Sequence, residues 1–274
     1  MSDIVVNRLP SEIFRLKTAL DSQWTEAIVS AYIHLDTLLR EIAVAENSGS
    51  CAVTAVVEEE NVILANSGDS RALLIDSEAF NNTEIVSSFD GEDSLPSHTS
   101  WVTDEHSADN PEEQSKLRLL HPNEKDVIQC RQKIIELDST GQIVASQWVA
   151  CYVKGRLQPT RAFGHFSLKD PPYIQVSPST RIVKRMPGSA LVLGSDGLWD
   201  YLSPGDVLEV VKRGIARRES PDQIADALID KALTVAAEAA PGGTSLTLEK
   251  LRVMQPGVDR RNIHDDITVV VVLV

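Results

Sequence analysis

The sequence predicts an α+β fold built from antiparallel sheets and helices. Segments with helical spacing and short apolar segments are mixed along the 274 residues, which indicates both helix and sheet. The predicted strands are apolar on both faces, so the sheet is covered on both sides, either in a sandwich with helices outside or in a doubly wound sheet. Short connections between successive strands favour antiparallel pairing and therefore the sandwich.

Apolar periodicity and capping residues locate the individual elements. An apolar stripe over residues 11–45 predicts one long helix or two helices in line. Asn110, Ser203 and Ser220 suit the N-caps of three further helices. Strands are predicted at 49–57, 62–65, 72–75, 143–153 (as part of a hairpin), 173–176, 181–184, 190–193 and 267–274. Residues 90–108 and 241–261 are predicted loops, and the absence of a repeat or linker predicts a single domain over 1–274.

Charge and cysteine content exclude several classes of function. The net charge of −14 disfavours nucleic acid or an anionic membrane as the main partner. No apolar run approaches the roughly 20 residues of a membrane span. Cys51, Cys130 and Cys151 are widely spaced, which predicts free thiols and an intracellular location, cytoplasmic or mitochondrial.

An aspartate follows the apolar mid-chain strand at 190–193. That strand stops at Gly194, and Asp196 then lies between a serine and Gly197. A carboxylate at the end of a buried strand, beside a glycine that allows close approach, is a candidate metal or phosphate site. The alternative is an Asx turn that closes the strand.

A second acidic site precedes the last strand. His264, Asp265 and Asp266 stand before the apolar run 267–274, which predicts a strand covered on both faces. Two strands that each carry an aspartate at one end can bring the carboxylates together on one sheet edge. Hard oxygen ligands favour Mg or Mn over zinc. The alternative is a solvated acidic turn.

Five motifs in chain order resemble the PPM-type (type 2C) metal-dependent protein serine/threonine phosphatases. They are Gly49-Ser50, Asn66-x-Gly-Asp-Ser-Arg71, Arg161-Ala-Phe-Gly164, Ser195-Asp-Gly-Leu-Trp-Asp200 and Asp265-Asp-Ile-Thr-Val269. The resemblance runs from about residue 15 to the end, and the stretches 105–113 and 119–122 look most like the pyruvate dehydrogenase phosphatase branch.

The resemblance implies a four-layer α-β-β-α sandwich of two antiparallel sheets flanked by helices. It also implies a metal-dependent phosphomonoester hydrolase that uses a metal-activated water, rather than a protein nucleophile, to dephosphorylate phosphoserine or phosphothreonine in proteins. Asp196 and Asp265 match metal ligands of the family, and Glu105 falls where the family has an outer-metal aspartate. Gly197, Asp266 and His165 are further candidates at the site.

The chain departs from the family pattern in two ways. Asp266 stands where the family usually has asparagine, and His165 stands where it has aspartate. Residues 1–20 contain no match to the family's metal-bridging Asp-Gly-His-Gly-Gly turn, which predicts a sandwich incomplete at the N-terminus. The family binds two Mg or Mn ions, whereas one ion or none is expected here.

These departures leave two hypotheses. The chain is either a phosphatase whose N-terminal catalytic part is absent from this sequence, or an inactive phosphatase-like module that binds a phosphoprotein or another protein partner. Activity is therefore left open at this point, and the absence of nucleic acid and of a membrane span is expected in both cases.

Overall fold

The computed structural model describes residues 1–81, 95–133, 148–239, 247–255 and 257–274. It contains both helices and antiparallel sheets, which confirms the predicted α+β class. The helices are α1 (Ser2–Leu20), α2 (Trp24–Leu39), α3 (Glu78–Asn81), α4 (Pro111–Leu120), α5 (Asp196–Trp199), α6 (Pro204–Ala216), α7 (Pro221–Ala239), α8 (Leu248–Val253) and α9 (Val258–Arg261). The strands are β1 (Gly49–Ser50), β2 (Ala52–Val57), β3 (Asn61–Ser67), β4 (Arg71–Ile75), β5 (Thr99–Trp101), β6 (Ile128–Lys133), β7 (Trp148–Val153), β8 (Phe163–Gly164), β9 (Ser179–Lys184), β10 (Ala190–Gly194) and β11 (Val269–Leu273).

The chain divides into two compact units, each made of three separate segments. The first unit comprises Met1–Thr54, Ala65–Asp69 and Glu105–Thr180. The second comprises Ala55–Leu64, Ser70–Asp104 and Arg181–Val274. Whether the two units form the single predicted domain stays a prediction. None of the helices in the described ranges combines the length and apolarity that a membrane span requires.

The first unit begins with a helical hairpin. The expectation of one helix, or two in line, from residue 11 is wrong, because α1 starts at Ser2 and the chain turns at Asp21 in the left-handed conformation (φ 45°). The two helices then pack against each other. The Phe14 ring meets the Trp24 ring edge-on at 5.4 Å between centroids, and Nδ1 of His34 lies 2.5 Å from Oε1 of Glu12.

Short antiparallel pairs form the sheet structure of the first unit. β1 pairs with β8, and β6 pairs with β7. Cys130 and Cys151 face each other across the β6–β7 pair and form a disulfide, so the prediction of three free thiols is wrong. Sequence spacing gave no signal for this pairing, because the two cysteines are 21 positions apart in the sequence.

Two strand predictions in the first unit need comment. Residues 143–147 of the predicted hairpin lie outside the described residues, and the strand that follows them is β7. The predicted strand at 173–176 does not form. The N–H groups of Tyr173 and Ile174 both donate to the carbonyl of Leu168, at 2.9 and 3.1 Å, so a local turn uses the donors that a strand would need.

The second unit is built on a four-stranded antiparallel sheet of order β11–β10–β4–β5. Helices α6 and α7 pack on it through Val207, Ile224 and Leu228, which share a buried cluster with Leu73 and Val192 of the sheet. β5 forms where the sequence predicted a loop. A second sheet of order β2–β3–β9 includes residues 55–57, 61–64 and 181–184 of this unit.

The last strand lies at the end of the four-stranded sheet. Val270 and Leu273 of β11 are 50% and 44% exposed, so the prediction that this strand is covered on both faces is wrong. Its register positions the candidate site. Gly194, the last residue of β10, pairs with Val269, the first residue of β11. The loops that carry Asp196 and Asp265 therefore leave the sheet at the same edge.

Candidate metal centre

Ser195 ties the two acidic loops of the second unit together. Its N–H donates to the carbonyl of Thr268 at 3.1 Å, and its hydroxyl donates to the carbonyl of Asp266 at 3.1 Å. The N–H of Thr268 in turn donates to the Ser195 hydroxyl at 3.0 Å. These bonds extend the β10–β11 pairing beyond the strands and hold the backbone around Asp196 against that around Asp265.

Gly197 brings the two backbones into direct contact. A Cβ built on Gly197 would lie 2.6 Å from the carbonyl oxygen of Asp266 and 3.3 Å from that of Asp265. Any larger residue would push this backbone away. The N–H of Gly197 also donates to Oδ1 of Asp196 at 2.8 Å, which fixes the carboxylate at the start of α5.

The environment of Asp196 disfavours its negative charge. Burial raises the pKa of Asp196, and the nearby charge of Asp265 raises it further. The N–H of Gly197 and the charge of Arg261 act in the opposite direction, but the net pKa is raised. The charges of Asp196 and Asp265 therefore act on each other, and the role of the two carboxylates as ligands of one ion stays a prediction.

Two consecutive arginines of α9 accompany the acids. Nη2 of Arg261 lies 3.2 Å from Oδ2 of Asp265, whose Oδ1 accepts the N–H of Asp266 at 2.8 Å. Arg260 forms an ion pair with the exposed carboxylate of Asp266. We call Asp196, Asp265 and Asp266, with their backbone, the acidic edge.

The acidic edge has a donor set suited to a hard divalent cation. Carboxylate oxygens are the ligands that Mg²⁺ prefers, with water completing the shell. A cation between Asp196 and Asp265 would remove the repulsion that raises the pKa of Asp196. Among the residues that the structure describes, no group of three or more His, Cys, Asp or Glu side chains gathers to hold a metal. Two carboxylates with water are the largest donor set that the acidic edge offers to one such ion.

Glu105 belongs to the first unit, in a loop with strong internal bonding. Its carbonyl accepts a hydrogen bond from Nδ2 of Asn110 at 3.1 Å. The next residue, His106, is 2% exposed, and its carbonyl accepts the N–H of Thr160 at 2.8 Å. The backbone at Glu105 is thereby fixed, and its role as an outer-metal ligand stays a prediction.

His165, also in the first unit, has cationic neighbours. Burial lowers the pKa of His165, and the charges of Lys169 and Arg156 lower it further. The backbone of His165 adopts a left-handed conformation (φ 50°). Its ring packs on Gly49, since a Cβ built on Gly49 would lie only 2.2 Å from Cδ2 of His165. This geometry gives His165 a packing role, and its surrounding charges disfavour a bound cation.

A family model described as "Protein phosphatase 2C" matches residues 3–240 of this chain. The chain belongs to the protein phosphatase 2C family. Glu105, His165 and Asp196 lie within the matched residues, whereas Asp265 and Asp266 follow them.

Curated relatives include several plant members of the protein phosphatase 2C family. "Probable protein phosphatase 2C 39" of Oryza sativa subsp. japonica is 31% identical over 244 residues, which cover 82% of this chain and 40% of that protein. "Probable protein phosphatase 2C 68" of Arabidopsis thaliana is 27% identical over 237 residues, and the alignment covers 82% of this chain and 53% of that protein. The chain thus spans about half the length of such relatives.

Solved structures show the same fold at low sequence identity. A serine-threonine phosphatase 2C from Toxoplasma gondii aligns over 98% of this chain and 77% of its own, with a TM-score of 0.56 and 20% identity. A C. elegans sex determining protein aligns over 98% of this chain and 52% of its own, with a TM-score of 0.63 and 17% identity. The phosphatase 2C family and fold are therefore shown, while the pyruvate dehydrogenase phosphatase branch and the missing N-terminal segment stay predictions.

Sequence reasoning missed Arg260 and Arg261 at the acidic edge of this phosphatase 2C domain. The stretch 241–261 was predicted as a loop, but residues 258–261 form the short helix α9, and the N–H of His264 donates to the carbonyl of Arg260 at 2.9 Å. The available signal was spacing, since Arg261 precedes Asp265 by four residues and one turn brings such a pair together.

Proposed function

We propose that this chain is the metal-binding part of a protein phosphatase that hydrolyses phosphoserine and phosphothreonine monoesters with Mg or Mn. Membership of the phosphatase 2C family supports the reaction class. The observation that carries the proposal is the acidic edge, where the hydrogen bonds of Ser195 hold the backbone of Asp196 against that of Asp265. Such a site gains stability when a divalent cation arrives.

Asp196 and Asp265 are the proposed ligands of one ion, and Glu105 is a proposed outer ligand. When bound, the ion neutralises charge on the phosphoryl group and lowers the pKa of a water molecule. The protein's own contribution is positioning. The Gly197 N–H orients the Asp196 carboxylate, and Ser195 keeps the two loops in register. Asp266 and His165 stay further candidate residues. Arg260 pairs with Asp266 as Arg261 pairs with Asp265, and the charges of Lys169 and Arg156 act on His165.

The proposal is tested with p-nitrophenyl phosphate and a phosphothreonine peptide, in Mn²⁺ and in chelator. We expect hydrolysis that needs Mn²⁺ and falls at least about 100-fold in Asp196→Asn, since even an outer contact to a ligand is worth roughly 10–100-fold. Asp226→Asn is the matched control. It removes the same charge from an exposed position of α7 in the same unit and should leave the rate unchanged.

Two results would contradict the proposal. Hydrolysis that persists in Asp196→Asn would exclude the acidic edge as the reaction centre. Mn²⁺ binding without hydrolysis of either substrate would instead favour the phosphatase-like binding module. Retention of the phosphothreonine peptide on immobilised protein would then show that this module recognises phosphoprotein.

A further inference from the structure

Both carboxylate oxygens of Asp265 already have hydrogen-bond donors. Oδ1 accepts the N–H of Asp266 at 2.8 Å, and Oδ2 accepts from Nη2 of Arg261 at 3.2 Å. The backbone bond to Oδ1 is part of the turn and cannot leave without changing it. Oδ2 is therefore the oxygen whose present donor is a movable side chain, and an ion at Oδ2 competes with Arg261.

The backbone of α9 fixes the position of the Arg261 Cα atom, but the Arg261 side chain can still change its conformation. The hydroxyl of Tyr201 donates to the carbonyl of Ile263 at 2.5 Å, and the N–H of His264 donates to the carbonyl of Arg260 at 2.9 Å. These bonds anchor the turn between α9 and Asp265. The Arg261 side chain itself is 77% exposed, so it can rotate into solvent at little cost.

Arg261 also acts on the second proposed ligand. The charge of Arg261 also acts on Asp196, in the direction opposite to the charge of Asp265. One guanidinium thus partly neutralises two carboxylates, which is the electrostatic task of a bound cation. Arg260 does not share this task, since its partner is Asp266.

We propose that Arg261 is an internal counter-cation of the acidic edge, and that a divalent ion competes with it for Oδ2 of Asp265. This inference rests on the proposed function, because it takes Asp196 and Asp265 as the ligands. Arg261 is a positioning residue in this account. It partly neutralises the acidic edge without the ion and lowers the affinity for the ion, which raises the concentration at which the site fills.

The test is a Mn²⁺ titration of the full chain, in which electron paramagnetic resonance counts free Mn²⁺ and calorimetry gives the dissociation constant. We expect Arg261→Gln to tighten Mn²⁺ binding roughly three- to tenfold, the range expected when an exposed charge pair and its repulsion of the ion are removed. Arg261→Lys keeps the charge without the forked geometry and should give a smaller change.

The matched control is Arg252→Gln. Arg252 pairs with Asp230, with Nε 2.7 Å from Oδ1, so this variant makes the same change in net charge and also breaks an arginine–aspartate pair of the second unit. Its Mn²⁺ affinity should equal that of the unaltered chain. Circular dichroism of each variant without ion establishes that it is folded. If Arg261→Gln is not folded, Arg261→Lys takes its place as the test variant.

The outcomes separate this inference from the proposed function. Suppose that the unaltered chain binds Mn²⁺ through Asp196. If the Arg261→Gln variant then binds Mn²⁺ equally or more weakly, the counter-cation role of Arg261 is refuted while the metal site stands. If Asp196→Asn binds Mn²⁺ as well as the unaltered chain, the metal site itself is wrong. Tighter binding in Arg261→Gln but not in Arg252→Gln supports the inference, and an equal gain in both overturns it.

Discussion

The two units differ in how they compensate the negative charge of a carboxylate. In the first unit, buried Asp36 receives Lys169 at 2.7 Å and the N–H of Gly164 at 2.8 Å, so its charge is fully compensated. In the second unit, Asp196 faces Asp265, and the net effect of its surroundings is to disfavour its charge. The comparison teaches that a carboxylate paired with a lysine, such as Asp36, stabilises the fold. A carboxylate close to a second carboxylate, such as Asp196, is instead suited to binding a metal cation from solution.

The largest effect is expected where compensation is complete. Burial lowers the pKa of Lys169 and Asp36 opposes this, so Asp36→Asn leaves a buried ammonium without its partner charge. Loss of one partner of a buried ion pair costs about 3–5 kcal/mol of unfolding free energy. Urea denaturation measures it, with Mn²⁺ affinity expected to stay unchanged.

Glu209→Gln is the control for Asp36→Asn, because it removes a carboxylate from the exposed pair with Arg213. Its cost should stay below about 1 kcal/mol. Equal destabilisation by the two variants would show that burial of the Asp36–Lys169 pair is not what matters.

A smaller effect is expected from a methyl group at the acidic edge. Gly197→Ala places its Cβ against the backbone of Asp265 and Asp266, which must shift, at a cost of about 2 kcal/mol. Because the proposed ligand Asp265 moves with that backbone, Mn²⁺ binding should weaken as well.

Gly257→Ala is the matched control for Gly197→Ala. Apart from its chain neighbours, no residue that the structure describes has an atom within 4 Å of a Cβ at Gly257, which precedes Asp265 in the second unit. Both variants are compared by denaturation and Mn²⁺ titration. Unchanged binding in Gly197→Ala would mean that close contact of the two loops is not needed for the ion.

The smallest effect concerns pH and the buried Glu113 of the first unit. Burial acts to raise the pKa of Glu113, but hydrogen bonds from Lys116 and Thr160 and the charge of Arg161 outweigh it, and the pKa is lowered. Folding therefore favours the ionised form. The resulting stability is present above the ordinary carboxyl pKa of about 4.3 and is lost as the pH falls through the lower pKa of the folded state.

Glu113→Gln removes this dependence. We expect it to cost about 1 kcal/mol at pH 7, with the difference from the unaltered chain shrinking as the pH is lowered below about 4. Denaturation midpoints across that range measure it. Glu112→Gln, at the exposed neighbouring position, should follow the unaltered chain throughout, and a constant difference for Glu113→Gln would contradict the electrostatic explanation.

Local chemistry made much of the fold predictable from sequence. Asn110 and Ser203 cap α4 and α6 through their side chains, as their positions before proline indicated. The apolar run before Gly194 forms a fully buried strand. The shared edge of Asp196 and Asp265 followed from antiparallel pairing of two strands, each with an acid at the relevant end.

Two of the failures have their physical origin in contacts between residues distant in the sequence. The Cys130–Cys151 disulfide depends on the β6–β7 register, and β5 exists because Trp101 pairs with Leu73. The start of α1 is a different case, because Val5 and Leu9 form with Ile13 a buried stripe at helical spacing, and the prediction from residue 11 left the first two out. Arg261 is different again, since Asp265 lies only four residues further on and the turn between them decides whether the two side chains meet.

The central claim is that the acidic edge is electrostatically incomplete without a divalent ion, and thermal unfolding with and without Mn²⁺ tests it most directly. We predict that without ion Asp196→Asn unfolds at or above the temperature of the unaltered chain, because a disfavoured charge is gone. Mn²⁺ should then raise the unfolding temperature of the unaltered chain but not that of the variant. A variant that is less stable without ion and gains the same shift with Mn²⁺ would contradict the account.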